Sequence, residues 1–223
     1  MADLTGPLDP AKTAIIVIDV QNDFCSSGGY MHREGHPLEM VEDAIPAIKD
    51  LLVGGAAAGV PRIFFQANYA TKYNWYLSSA FLDRARRSNP QGGHVAYGVC
   101  EEGSWGFEIV NEIRPTGAPD EIVIKKHRYS AFVGTELDLI LRSRGIESLV
   151  MTGVATNVCV ESTARDAFMR DYHVVLASDC CATYSEEEHL ATLANIRQYF
   201  GQVVNSESVL QAWRSAHLSH PAG

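Results

Sequence analysis

Three polar residues of different chemistry stand at or just beyond the ends of apolar runs in this sequence. Asp19 closes AIIVID, Lys126 follows EIVIK, and Cys159 lies six residues past the run SLVMTG. A carboxylate can carry a proton, an ammonium can steady a thiolate, and a cysteine can attack a carbonyl carbon. Together they could hydrolyse an amide-like bond with no cofactor.

Each residue also has a plainer explanation. Cys159 sits in GVATNVCVESTARDAF. If a helix starts at Asn157 or Val158, the sulfur falls in its first turn, where the dipole and free N–H groups favour a thiolate and could hold an oxyanion. Otherwise it is an inert core cysteine. Asp19, ending an apolar run, must be paired or hydrogen-bonded; it is a base or a strand-end cap. Lys126 competes with Lys125, and strand alternation sends the two to opposite faces.

Other chemistries find less support. The eight histidines show no H-E-x-x-H or paired metal spacing. Cys180 and Cys181 are adjacent but lack a CxxC or a histidine partner; a redox thiol pair is the rival reading there. No GxGxxG follows the first apolar run, and there is no P-loop or GxSxG elbow. No metal and no cofactor are expected.

The elements that must position these residues alternate from end to end. Strands are predicted at Ala14–Val20, Arg62–Ala67, Glu121–Lys125, Ser148–Gly153 and His173–Ser178, with a weaker one near Gln202–Asn205. They are rich in β-branched residues and apolar on both faces, as buried parallel strands are. Helices are predicted over Leu38–Ala58, Thr135–Arg144, Val158–Arg170 and Glu186–Phe200, with Thr135 as an N-cap and Gly145 as a stop. The pattern predicts an α/β fold: a single-domain, three-layer α/β/α sandwich around a mainly parallel, six-stranded, Rossmann-like sheet. Ligands of such sheets bind beyond the carboxyl ends of the strands. Asp19, Lys126 and Cys159 should therefore converge on one crevice. The stretch Thr71–Glu102 breaks the rhythm and reads as an inserted lid or interface segment within one domain spanning 1–223.

The chain has 223 residues, 46% apolar and 20% charged, with a formal net charge of −9. That acidity, with a pI near 5.3, argues against nucleic-acid or anionic-membrane partners. The N-terminus lacks a signal-peptide pattern, and five scattered cysteines do not form a disulfide framework. A reduced, cytoplasmic protein is expected.

The residues carry a resemblance. IVIDVQNDFCSSGGY, GSWGFEIV, KHRYSAFVGTELDLILRSRGIESLVMTGVATNVCVESTARDAF and the DCCATY region resemble the isochorismatase-like cysteine hydrolases over most of the chain. The resemblance implies Asp19 as general base, Lys126 (over Lys125) as the group steadying the thiolate, and Cys159 as nucleophile. It also implies a cis peptide at Val154–Ala155, with the N–H groups of Ala155 and Cys159 forming the oxyanion hole. A homo-oligomer, dimer or tetramer, is implied as well. Within the superfamily, GSW, KxRYSxF, LILRSRGI and TGxATNVCVEST are most similar to the ureidoacrylate amidohydrolase group of pyrimidine breakdown. Biuret, triuret and N-carbamoyl hydrolases are neighbours. The nicotinamidase metal site has no counterpart, since FQANYATKYNW holds no Asp or His at that place. YNWYLSSAFLDRARRSNP departs from the group's usual HKSNA-like segment, over the part that should cover the pocket.

The expected activity is cysteine-dependent cleavage of a C–N bond in a small ureide, ureidoacrylate-like or biuret/triuret, through a thioester-like intermediate. An N-carbamoyl amino acid or a simple carboxamide is the alternative substrate. A non-catalytic binding protein of the same fold is the alternative class. Phe24, Asn68 and Tyr129 are expected to line the pocket.

Overall fold

The computed structural model describes residues 8–69, 75–81, 83 and 99–219. Its core is a six-stranded sheet in the order β3-β2-β1-β4-β5-β6. The strands are β1 (Thr13–Ile18), β2 (Arg62–Ala67), β3 (Glu121–Lys126), β4 (Ser148–Val154), β5 (His173–Ala182) and β6 (Gln202–Val204). Every neighbouring pair is parallel. The helices are α1 (Asn22–Cys25), α2 (Tyr30–Arg33), α3 (Glu39–Ala57), α4 (Leu137–Ser143), α5 (Glu161–Phe168), α6 (Glu186–Asn195) and α7 (Ser206–Ser219).

Strand alternation builds the layers. Ile15 and Val17 of β1 point into one core with Ile48 and Leu51 of α3 and Trp213 of α7. Ala14, Ile16 and Ile18 point into the other with Leu137 and Leu141 of α4, Ala164 of α5 and Leu193 of α6. Burying both faces is what makes β1 read as an unbroken apolar run. A Cβ on Gly55 would meet Ile15 Cδ1 at 2.5 Å, so α3 lies directly on the strand.

The order reverses at β1, which leads to β2 and β3 on one side and pairs with β4 on the other. That switch point opens a crevice beyond the strand ends.

Several boundaries differ from the sequence reading for local reasons. β1 stops at Ile18, not Val20, because Asp19 takes a left-handed φ of 53°. β5 runs on to Ala182 past an irregularity opposite Met151 and Gly153 of β4. Its polar SDCC looks like a loop, yet Asp179 accepts hydrogen bonds from the N–H and hydroxyl of Ser206 at 2.7 Å each, which ties it to the start of α7. α7 itself was not foreseen. β3 is an edge strand with Ile122 and Val123 exposed, so it is not buried on both faces as expected. The helices predicted over Val158–Arg170 and Glu186–Phe200 each include a π-helical turn, Thr156–Val160 before α5 and Ile196–Phe200 after α6. The N-cap position of α4 falls on Glu136 rather than Thr135, whose Oγ1 accepts from the Leu137 N–H at 3.2 Å from one residue further out; Gly145 follows α4 with a φ of 64°.

Most of the Thr71–Glu102 segment lies outside the described residues. No helix among those described is long and apolar enough to cross a membrane.

Candidate active site

Asp19 sits one residue beyond β1, and its side chain is completely buried. The chain turns there because Asp tolerates the left-handed region better than a β-branched residue would. The Asp19 N–H donates to Phe65 O at 3.1 Å, and the Gln21 N–H donates to Asp19 O at 2.8 Å. Gln21 fixes this turn further. Its amide donates to Ala67 O and Phe107 O at 3.1 and 2.9 Å, and accepts from the Ala67 N–H at 2.7 Å.

Lys126 is the last residue of β3 and is also fully buried. Its Nζ lies 2.6 Å from Oδ2 of Asp19 and 3.5 Å from Sγ of Cys159, and donates to Arg128 O at 3.0 Å. The contact with Asp19 is a fully buried ion pair. Lys125 points the other way, to an exposed pairing with Glu102. Alternation at the strand end thus separates the two lysines.

Cys159 lies in the π-helical turn after β4, 6% exposed. Such turns recur at functional sites. Thr163 braces it by donating from Oγ1 to Cys159 O at 2.7 Å while accepting the Ala131 N–H at 3.0 Å. The peptide joining Val154 to Ala155 is cis.

Burial controls the titration of all three groups. It pushes the Cys159 thiol up to about 12; Lys126 pulls it down and Asp19 pushes it further up. Burial thus works against the thiolate that a helix start and a nearby ammonium favour. Burial also raises the Asp19 carboxyl, with Lys126 pulling against it. For Lys126 burial lowers the value, but the charges of Asp19 and Cys159 outweigh it, so the ammonium persists.

These residues meet at a pocket of about 240 Å³. Asp19, Ala155 and Cys159 line it, with Phe24, Tyr30, Tyr69, Tyr129 and Tyr184 among the other lining residues. Phe24 and Tyr129 are thus where the sequence placed them. Asn68 is not among the lining residues. Its Nδ2 donates to Glu102 at 3.3 Å, and the next residue, Tyr69, lines the pocket instead. The displacement is one residue at a strand end, which reverses the side chain.

The isochorismatase-domain family model matches residues 13–208. The chain belongs to the isochorismatase family. The ureidoacrylate amidohydrolase RutB of Methylobacterium radiotolerans is 41% identical over 206 residues, covering 88% of this chain and 77% of that protein. Its counterpart in Acinetobacter baylyi is 36% identical over 217 residues, covering 93% and 86%. Among solved structures, a cysteine hydrolase from Pseudomonas syringae pathovar phaseolicola superposes with a TM-score of 0.80 at 27% identity, covering 94% of this chain and 96% of that one.

Within this family member, sequence reasoning missed several residues that shape the pocket. Tyr30 is held by Asp23, whose carboxylate accepts the N–H groups of Tyr30 at 3.1 Å and Cys100 at 2.8 Å. Gly106 lies against that carboxylate; a Cβ there would meet Oδ2 at 2.2 Å. Thr183 and Tyr184 reach the pocket because β5 is longer than expected. Tyr184 donates to Phe24 O at 2.9 Å. A signal existed for Gln21 and Asp23: polar residues directly after a buried strand need partners. None existed for the β5 extension.

The described part of the inserted segment touches this wall. The Phe81 ring lies 5.5 Å from Tyr69 and 5.4 Å from Tyr129, and Tyr76 stacks on His127 at 4.2 Å. Cys180 and Cys181 are both buried, and alternation sends them into different cores. No group of three potential metal ligands occurs among the described residues.

Proposed function

We propose that this chain is a cysteine-dependent amidohydrolase that cleaves a C–N bond of a small ureide. One observation carries the reading: a carboxylate, an ammonium and a thiol from three separate strand ends lie together, and the carboxylate and the thiol line one pocket. The names of relatives sharing 36% and 41% identity direct it to ureides.

The chemistry follows from the protonation states. Asp19 takes the Cys159 proton as Sγ attacks the carbonyl carbon, and its raised affinity for protons suits it to that task. The electron pair of the C=O bond moves onto oxygen, where the N–H groups of Ala155 and Cys159 hold it. Asp19 passes the proton to the departing nitrogen as the C–N bond breaks, leaving a thioester-like intermediate on Sγ. Water, giving a proton to Asp19, attacks that intermediate; the C–S bond breaks, the acid leaves, and Asp19 returns the proton to Sγ. Lys126 keeps its charge throughout and offsets the negative charge moving between Asp19 and sulfur. No step calls for a cofactor.

Phe81 against Tyr69 and Tyr129 supports reading the 71–102 segment as a cover for the pocket. The protein acts on a small molecule; the homo-oligomer and the cytoplasmic location remain part of the proposal.

The test is turnover on ureidoacrylate, biuret, triuret, N-carbamoyl amino acids and nicotinamide, with ammonia read after carbamate has decayed. Intact-mass detection of an adduct on Cys159 during turnover accompanies it. Turnover of nicotinamide alone would sink the ureide assignment and leave the cysteine hydrolase standing.

A further inference from the structure

The sheet alone does not bring Lys126 to Cys159. β3 and β4 are separated by β2 and β1, and three steps between neighbouring strands span roughly 14 Å. Yet Lys126 Nζ lies 3.5 Å from Cys159 Sγ. A lysine head on its flexible four-carbon stem needs partners to hold it in one place. Asp19 supplies one from beyond β1. Arg128 supplies another, its carbonyl accepting from Nζ at 3.0 Å. Arg128 belongs to the connection from β3 to α4, so the placing of that connection bears on where the ammonium stands.

Thr163 ties the connection to the nucleophile. It lies in α5, one turn past Cys159, and is fully buried. Its hydroxyl donates to Cys159 O at 2.7 Å. A threonine bonding back four residues is ordinary in a helix. The second bond is not of that kind. The same oxygen accepts the N–H of Ala131, three residues past Arg128, at 3.0 Å. Ala131 is itself buried, so its N–H needs a partner within the protein. The single hydroxyl proton goes to Cys159 O and a lone pair takes the Ala131 N–H. One hydroxyl thus joins the nucleophile's own carbonyl to the segment whose carbonyl holds the ammonium.

We propose that Thr163 is a positioning residue: its hydroxyl fixes the β3–α4 connection against the nucleophile's turn and so sets the separation of the Lys126 ammonium from the Cys159 sulfur. Thr163 is not among the described lining residues, so it acts through Lys126 and not on the substrate. The groups whose charges act on the sulfur are Lys126 and Asp19. Their distance from it governs the charge that develops as the proton leaves, which belongs to the chemical step and not to binding. The proposal rests on the reading of Cys159 as nucleophile and adds a residue to it.

Thr163→Val, close in shape but without the hydroxyl, is the test, with Thr163→Ser as the variant that keeps it. On ureidoacrylate, Thr163→Val should lower kcat about tenfold and leave KM within about twofold. Alkylation of Cys159 by iodoacetamide at about pH 8 should slow roughly fivefold. Thr163→Ser should bring both back to within about twofold of wild type. Adding Thr163→Val to Lys126→Ala should slow alkylation no further, because the ammonium through which it acts is gone. Thermal melts establish that each variant is folded at the assay temperature, and Thr163→Ala takes the place of a valine variant that is not. Equal slowing with and without Lys126 would overturn the proposal, since Thr163 would then merely brace the turn. A rise in KM at unchanged kcat, or no rescue by serine, would overturn it as well. Should the chain cleave no ureide, the ureide reading falls, and the alkylation rates still decide the role of Thr163.

Discussion

Lys126 Nζ sits 2.6 Å from Oδ2 of Asp19, and neither side chain has any solvent exposure. Removing one partner leaves the other as a buried, uncompensated charge. Lys126→Met should cost about 3–5 kcal/mol of stability, most of it recovered in the double variant with Asp19→Asn, while neither turns over substrate. Urea denaturation with activity assays checks this. A loss under about 1 kcal/mol would mean that water reaches the pair. The pH dependence has a defined sign. The folded-state value of Lys126 is raised above 10.5, so its contribution is complete below that pH and lost as pH rises through the folded value.

Cys159→Ala and Cys159→Ser should each lower turnover by roughly a thousandfold or more. Serine fails because its hydroxyl is far less acidic than a thiol and no histidine is among the described lining residues. Either variant keeping a tenth of wild-type activity would remove Cys159 from the mechanism.

Alkylation of Cys159 should be slow near neutral pH and accelerate as pH approaches about 12, because burial holds the proton on sulfur. Lys126 lowers the thiol value, so Lys126→Ala should slow alkylation at every pH below that. Lys125→Ala should leave it unchanged, since Lys125 pairs with Glu102 at the surface. The reverse ranking would show that the strand register differs in solution.

Asp19→Asn should abolish turnover. In wild type, kcat/KM should fall with acid as Asp19 becomes protonated and can no longer take the thiol proton. Because burial raises that carboxyl above 3.8, the acid limb should lie at higher pH than for an ordinary aspartate. A limb at or below the ordinary value would assign the proton transfer elsewhere.

Gly153→Ala should destabilise the fold by at least about 2 kcal/mol. Gly153 has a φ of 113°, and a Cβ there would lie 2.1 Å from Ile18 O. The clash falls between β1 and β4, where the crevice opens. A melting temperature within about 1 °C of wild type would refute it.

The sequence made the strands and Asp19 legible because buried parallel strands are apolar on both faces, so a lone Asp at the end of one stands out. Lys126 against Lys125 came from resemblance, and alternation then explained it. Asn68 was misplaced by one residue because a strand end does not announce which face its last side chain takes. The first turn of a helix favours a thiolate, and burial, invisible in sequence, works against it.

The placement of the three anchors on β3, just past β1 and just past β4 also bears on how activity appears as the chain folds. β1 joins the two halves of the sheet, with Lys126 on one side of it and Cys159 on the other. No consecutive stretch of the chain brings all three together. They meet only when the long-range pairings of β1 with both β2 and β4 have formed, and such pairings are the slow ones in folding. A nascent or half-folded chain therefore carries a cysteine, an aspartate and a lysine that are strangers to one another. The three can act as a unit only once the sheet is complete.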